Sequence, residues 1–382
     1  MIPLFKVYMS KESQQIVSNT LQSGFLTQGP RVEEFEKDLS SFVNNENVVT
    51  VNSATSGLHL AIHLLKQPNE WNDGLKEGDE ILCTPLTCAA TNWPVLSNNL
   101  NIKWVDVDPN TLNMDLDDLE KKITPKTKAI LFVHWGGFPI DLERVTDIQQ
   151  NCFNKFGFKP AVIEDCAHAF GSHYNEKHLG NHGNICVFSF QAIKHLTCGD
   201  GGMVIFPNSR LAKQAKLIRW FGIDREHNSK DFRCEADIPN WGFKFHMNDI
   251  NASIGIGNLK SVKEEVINKH KANSKYFDNH LTGISGVDLL KRNTNVDSSS
   301  WIYSFLVDNK TKFMEMMKAN DIMVSQVHER NDIHSCVKQY KTDLPNLDKV
   351  VKRLISIPVG WWLSEEDKKT IVGCIRNEKY YN

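Results

Sequence analysis

Two segments decide how this chain folds: residues 162–172, VIEDCAHAFGS, and residues 188–202, FSFQAIKHLTCGDGG. The first is an apolar run that ends on Glu164 and Asp165 and then gives way to small residues. The second leaves an apolar run at Ser189, passes through Lys194 and closes on a glycine-rich turn. Both read as buried strands that stop at a chemically loaded loop. An acid at one strand end and a lysine after a later strand end can converge on one site.

Working outward, short apolar runs alternate with helical patterns from Val48 to about Pro207. Val48–Val51, Glu80–Thr84, Ile102–Val107, Ala129–His134, Ala161–Glu164, Ile185–Ser189 and Gly202–Phe206 read as strands, with Ser56–Lys66, Leu116–Lys122 and Asp141–Phe156 as intervening helices. This alternation predicts an α/β fold with a mostly parallel sheet covered by helices on both faces, whose chemistry gathers where strands end. After Trp241 the pattern changes. Asn248–Ala272 reads as one long amphipathic helix, followed by a strand at Ser300–Val307 and helices at Lys312–Asn320 and Ser364–Asn377. The expected organisation is a large domain over residues 1–247 and a smaller α+β domain over 248–382.

The 382 residues carry 44 Lys plus Arg against 46 Asp plus Glu, a formal charge of −2. That balance gives no reason to expect nucleic acid or a membrane surface as a partner. The nine cysteines form no CxxC pair, so free thiols in a reducing cytoplasm are expected, with no metal site. Neither a signal peptide nor a membrane-spanning run is apparent.

Lys194 and Asp165 suit pyridoxal 5′-phosphate. A lysine amine forms the Schiff base and later shuttles a proton. A carboxylate keeps the pyridine nitrogen protonated so that the ring accepts electrons. The phosphate needs hydroxyls and backbone N–H groups at a helix N-terminus, and Asn52-Ser53-Ala54-Thr55-Ser56-Gly57 offers such a turn. Each piece is ordinary alone: a lysine after a strand is usually a surface lysine, and the turn by itself is a helix cap.

Taken together and in order, SGFLTQGPRVEEFE, NSATSGLHLA, DEILCTPLTCAAT, VHWGGFPIDL, IEDCAHAFGS, FSFQAIKHLTCGDGG and GFKFHMNDINASIGIGNL resemble the DegT/DnrJ/EryC1/StrS family of sugar aminotransferases, members of fold type I of the pyridoxal-phosphate enzymes. The resemblance implies roles position by position. Lys194 would be the Schiff-base lysine, Asp165 the partner of the pyridine nitrogen and His168 the neighbour of the ring's 3-hydroxyl. Thr55, Ser56 and Ser189 would hold the phosphate. Lys244, where many relatives carry Asn, would complete it from a neighbouring subunit of a homodimer. Trp135 and His328 would face the sugar, although Trp135 reads equally well as core and a loop histidine often has no role. His334, Trp361 and Trp362 carry weaker arguments.

Three positions depart from the family pattern. Cys88 stands where relatives place a ring-stacking aromatic, Asp200 replaces the Glu of GEGG, and His246 replaces an Arg. The implied reaction moves an amino group from glutamate or glutamine to a nucleotide-linked keto-deoxy sugar, favouring a 4-keto-6-deoxyhexose over a 3-keto sugar. A ketone that is not nucleotide-linked is a further alternative, as is a non-catalytic regulator. Related sugar 3-dehydratases carry His at the lysine position, so Lys194 argues against dehydration.

Overall fold

A computed structural model describes residues 1–224, 229–231, 234–235 and 237–376. Its centre is a sheet of seven strands: β1 (Val48–Val51), β2 (Glu80–Cys83), β3 (Asn101–Trp104), β4 (Thr127–Val133), β5 (Ala161–Asp165), β6 (Ile185–Ser189) and β7 (Gly202–Ile205). They lie in the order β1-β7-β6-β5-β4-β2-β3. The pairs β6/β5, β5/β4, β4/β2 and β2/β3 are parallel, while β7 runs antiparallel to both neighbours. The expected mostly parallel sheet is therefore present.

Alternation along the strands fills two cores. Val49, Val51, Ile81, Cys83, Ala129, Leu131 and Val187 face one side. Val48, Leu82, Ile130, Phe132, Val162, Cys186 and Phe188 face the other. Because both faces are covered, the strands read as continuous apolar runs rather than as alternating ones. Helix α3 (Ala54–Leu64) seals the first face, with α7 (Ser209–Ile218) beside it. The helices α2 (Pro30–Val43) and α6 (Leu142–Phe156) seal the second. Caps set several boundaries: Asp141 Oδ1 accepts the Arg144 N–H at 3.0 Å to start α6, and Gly157 at φ +80° ends it.

The expected helix over 248–272 is longer and interrupted. It comprises α8 (Asp249–Ser261), a wide turn over Val262–Ile267 and α9 (Asn268–Leu281). Ala252, Ile256, Val262 and Val266 pack into the second core of the main sheet. A separate core begins at Phe277 in α9. It gathers Tyr303 and Phe305, Ile355 and Ile357, and Phe313, Met317, Ile371 and Val372 from helices Lys310–Ala319 and Glu365–Ile375. The antiparallel strands Val287–Leu289, Tyr303–Val307 and Leu354–Ile357 form its sheet. This is the smaller α+β unit. The closing helix starts on a capping box between Ser364 and Asp367, and Asn377, its expected end, lies outside the described residues. Among the described residues, no helix is long and apolar enough to cross a membrane.

Candidate active site

The site lies at the carboxyl ends of the parallel strands, where the sheet register brings distant residues together. Ser189 at the end of β6 pairs with Gly202, and Gly202 pairs on its other side with Val51 at the end of β1. A Cβ on Gly202 would fall 2.7 Å from the Phe188 carbonyl oxygen and 2.8 Å from the Ala54 nitrogen. Only glycine lets the start of α3 lie that close to the strand. Gly57 repeats the device one turn later, where a Cβ would meet Val187 at 2.9 Å. Ser189 is thereby drawn to the N-terminus of α3.

Ser53 caps that helix. Its hydroxyl accepts the Ser56 N–H at 3.1 Å and lies 2.9 Å from the Ser56 hydroxyl. Thr55 is exposed, Ser56 half-buried and Ser189 buried. First-turn amides and hydroxyls at a helix N-terminus make a concentrated set of donors, favourable to a phosphate. Lys244 is exposed, and its carbonyl oxygen accepts from Asn52 Nδ2 at 3.3 Å, so the loop bearing it lies against the start of this turn.

Asp165 ends β5 and is buried. Its Oδ2 accepts the Thr91 hydroxyl at 2.7 Å, and its Oδ1 accepts the Ala167 N–H at 2.9 Å. Thr91 is in turn 2.7 Å from the Thr87 hydroxyl. Burial raises the Asp165 pKa, opposed by these two hydrogen bonds and by the charge of Lys194. Lys194 is half-buried. Loss of water around its amine lowers its pKa to about 7, against the opposing pull of Asp165 and Cys88. An amine in that range is partly neutral near physiological pH and can act as a nucleophile.

The Lys194 amine lies 3.4 Å from the centroid of the Trp301 ring. Trp301 stacks on His168 at 4.0 Å between centroids, and its indole N–H donates to the Ile193 carbonyl at 2.9 Å. His168 is buried, and burial drives its pKa well below the usual histidine range. Its Nδ1 has no hydrogen-bond partner among the described residues. His168 Nε2 lies 3.2 Å from His328 Nε2.

The fold brings Lys194, Asp165, His168 and His328 into one neighbourhood, and it sets Ser189 against the start of the helix that carries Thr55 and Ser56. It departs from expectation at Trp135. That side chain is only 1 % exposed, with its indole N–H donated to Ser304 and its ring edge-on to His168 and His328. Trp135 supports the two histidines as part of the core and offers no open face to a sugar. Cys88 is exposed at the start of helix Ala89–Ser97, near enough to act on the Lys194 charge, but it provides no ring. Two further residues at the site, Thr91 and Trp301, carry no mark in the sequence. Thr91 is an ordinary threonine within DEILCTPLTCAAT, and Trp301 precedes a strand with no local signal pointing to the site.

A second carboxylate, Glu164, sits just behind. Ligand atoms of His134, Glu164 and Cys166 lie within 4.8 Å of one another. His134 Nδ1 accepts the Ile140 N–H at 3.1 Å, so its Nε2 carries the hydrogen and donates to Glu164 at 2.8 Å. Asn184 donates to the other Glu164 oxygen at 2.7 Å. Both imidazole nitrogens are engaged in hydrogen bonds that hold the 134–140 loop, which leaves neither free to ligate.

The chain matches the DegT/DnrJ/EryC1/StrS aminotransferase family over residues 7–376. It is similar to the solved structure of AtS13 from Actinomadura melliaura, with 49% identity, a TM-score of 0.94 and 98% of each chain covered. The sugar aminotransferase CalS13 from Micromonospora echinospora is 44% identical, with a TM-score of 0.93 over 98% of this chain and 99% of that one. The spore coat polysaccharide biosynthesis protein SpsC of Bacillus subtilis is 28% identical over 98% of this chain and 96% of its own. Given a family match from end to end and a fold shared with these enzymes, the chain belongs to the DegT/DnrJ/EryC1/StrS aminotransferase family and is a pyridoxal-phosphate-dependent sugar aminotransferase.

Proposed function

We propose that this enzyme transfers an amino group from glutamate or glutamine to the ketone of a nucleotide-linked keto-deoxy sugar, a 4-keto-6-deoxyhexose in the first instance. The observation that carries the assignment of its machinery is the Lys194 amine, with its pKa lowered to about 7 by burial, over the Trp301 ring and within electrostatic reach of Asp165 and His168. The residues present fit the cofactor: a buried His168 nitrogen without a partner among the described residues, a lowered amine, and a donor-rich helix start held close by Gly202.

When bound, pyridoxal phosphate supplies an electron sink for the carbanion formed at the amine-bearing carbon. Lys194 holds it covalently and, once released, carries the proton at Nζ from one carbon to the next. Asp165, fixed by Thr91 and the Ala167 N–H, places a carboxylate at the pyridine nitrogen. His168 takes the ring's 3-oxygen. Thr55, Ser56 and Ser189 hold the phosphate, and Lys244 of a second copy adds a cation to it. His328 lies on the sugar side with Trp135 behind it. Residues 1–247 form the body that carries the cofactor, residues 248–382 supply the sugar-side loop, and the homodimer works in the cytoplasm.

The test is an absorbance titration of the purified enzyme with pyridoxal phosphate, then glutamate, then a panel of keto-sugar nucleotides. The visible band of the bound cofactor should bleach with glutamate and return with one 4-keto sugar. Return with a 3-keto sugar alone would move the reacting carbon. Return only with a simple ketone would remove the nucleotide sugar from the proposal.

A further inference from the structure

The contact between His168 and His328 has a geometry that fixes hydrogens. The ring planes are within 5° of parallel, the centroids are 5.3 Å apart and the two Nε2 atoms are 3.2 Å apart. The difference, 5.3 − 3.2 = 2.1 Å, is close to the two ring radii together, so the rings meet edge to edge rather than face to face. This is an in-line N–H···N hydrogen bond. Burial lowers the His328 pKa to about 3 and holds the His168 pKa well below the usual histidine range, with the Lys194 charge adding to both. Both rings are therefore neutral, and each carries one hydrogen. Two Nε2–H groups would clash and two lone pairs would repel, so the two facing nitrogens share a single hydrogen. The tautomer of one ring dictates that of the other.

The pair is held from both sides. Trp301 lies against the His168 face at 4.0 Å. The His328 loop is pinned by a Leu86–Arg330 bridge, by Asn331 Nδ2 donating to Asn92 at 2.6 Å, and by Gln326 Nε2 donating to the His328 carbonyl at 2.9 Å. Val327, just before it, adopts φ +71°, a conformation rare for a β-branched residue and held here by that surrounding structure. On the far side of the His168 ring, Nδ1 is buried and has no partner among the described residues.

We infer that His328 is a positioning residue that donates its Nε2 hydrogen to His168 Nε2 and so keeps the His168 hydrogen on Nδ1, aimed at an electron-rich oxygen of the bound ligand. The pairing stands on the geometry alone. The identity of that oxygen, the cofactor's 3-oxygen, rests on the reading given under Proposed function. A His328→Phe change keeps a flat ring and removes the donor, whereas His328→Gln restores an N–H near the same place.

The experiment is histidine side-chain 15N NMR of the protein with and without pyridoxal phosphate, with His168 assigned by its loss in His168→Gln. In the loaded wild type, His168 should show a protonated Nδ1 and a bare Nε2. His328→Phe should move hydrogen onto His168 Nε2 and speed cofactor release about tenfold, the scale of one hydrogen bond to a charged group. His328→Gln should keep the wild-type pattern. A wild-type His168 protonated on Nε2, or a His168 pattern unchanged in His328→Phe, would overturn the inference. Failure of the wild type to bind pyridoxal phosphate would instead sink the cofactor reading. The unloaded spectra would still decide whether the facing nitrogens share one hydrogen.

Discussion

The Trp301 ring touches two polar groups: the Lys194 amine lies 3.4 Å from its centroid, and the His168 ring stacks on it at 4.0 Å. An indole beside an ammonium acts in two ways. It attracts the cation through its electron-rich face, and it excludes the water that would solvate that cation better. Burial is the larger effect on Lys194, since its pKa falls to about 7 despite Asp165 and Cys88 nearby.

Replacing Trp301 with Ala should therefore raise the Lys194 pKa toward the usual lysine range, because the amine gains water. The check is the pH dependence of Lys194 capture by pyridoxal phosphate, trapped with borohydride and read by mass spectrometry. The midpoint should move upward by at least about one unit, roughly tenfold less neutral amine at a given pH. A midpoint still near its original position would show that other groups dry the amine.

The same shift makes a statement about stability. Lys194 has a lower pKa folded than unfolded, so between about pH 7 and about pH 10 the unfolded chain binds more protons at this residue. Its contribution is unfavourable at low pH and fades as pH rises through that window. Lys194→Met should thus raise the melting temperature of the cofactor-free protein at about pH 6.5 and leave it nearly unchanged at about pH 10. Equal shifts at both pH values would mean that methionine acts through packing and not through the charge.

The catalytic strand ends were legible because buried parallel strands write themselves as apolar runs, and the runs before Asp165 and Ser189 stop where the chemistry starts. Other elements left weaker marks. The helix Lys11–Ser23 buries only Ser13 and Thr20, so it shows no apolar stripe. The helix Ala89–Ser97 contains Pro94 and Asn92, which read as breakers. The helix that runs on to Leu281 buries His270, Asn273 and Ser274, and its pattern fades where polar side chains find internal partners. Trp301 and Thr91 reach the site through tertiary packing alone. No local spacing links Trp301 to Lys194, and Thr91 reads as a helix residue until its hydroxyl is seen at 2.7 Å from Asp165.

Thr91 supports Asp165 and should report on it. A hydrogen bond to a charged group contributes about 1.5–3 kcal/mol, so Thr91→Val should lower kcat by at least about tenfold. Asp165→Asn, which removes the charge itself, should cost more, on the order of a hundredfold or greater. Borohydride reduction should still fix the cofactor to Lys194 in both variants. A Thr91→Val enzyme with wild-type kcat would detach this threonine from the reaction and leave it a packing role.

Gly202 tests the helix start. A Cβ there would strike backbone atoms, the Phe188 oxygen at 2.7 Å and the Ala54 nitrogen at 2.8 Å, and backbone cannot swing aside as a side chain would. Gly202→Ala should destabilise the protein by about 1–3 kcal/mol, the usual scale of overpacking. It should also weaken binding of pyridoxal phosphate more than that of pyridoxal, because the displaced element is the phosphate-facing turn. Equal losses for both ligands would place the phosphate elsewhere.

Lys244 offers a test of whether two copies share a site. The residue is exposed, and its carbonyl is tied to Asn52 of its own chain at 3.3 Å, so its backbone is fixed while its side chain is free to extend outward. If that cation completes the phosphate site of a second copy, Lys244→Ala should weaken pyridoxal-phosphate retention, and Lys194→Ala alone should be inactive. Co-expression of the two variants then builds hybrids in which one site combines an intact Lys194 from one chain with an intact Lys244 from the other. That site is whole, so about a quarter of the wild-type activity should return if subunits mix at random, each dimer holding two sites. Activity no higher than that of the Lys244→Ala enzyme in the mixture would place Lys244 in the site of its own chain, and the shared-site arrangement would fall with it.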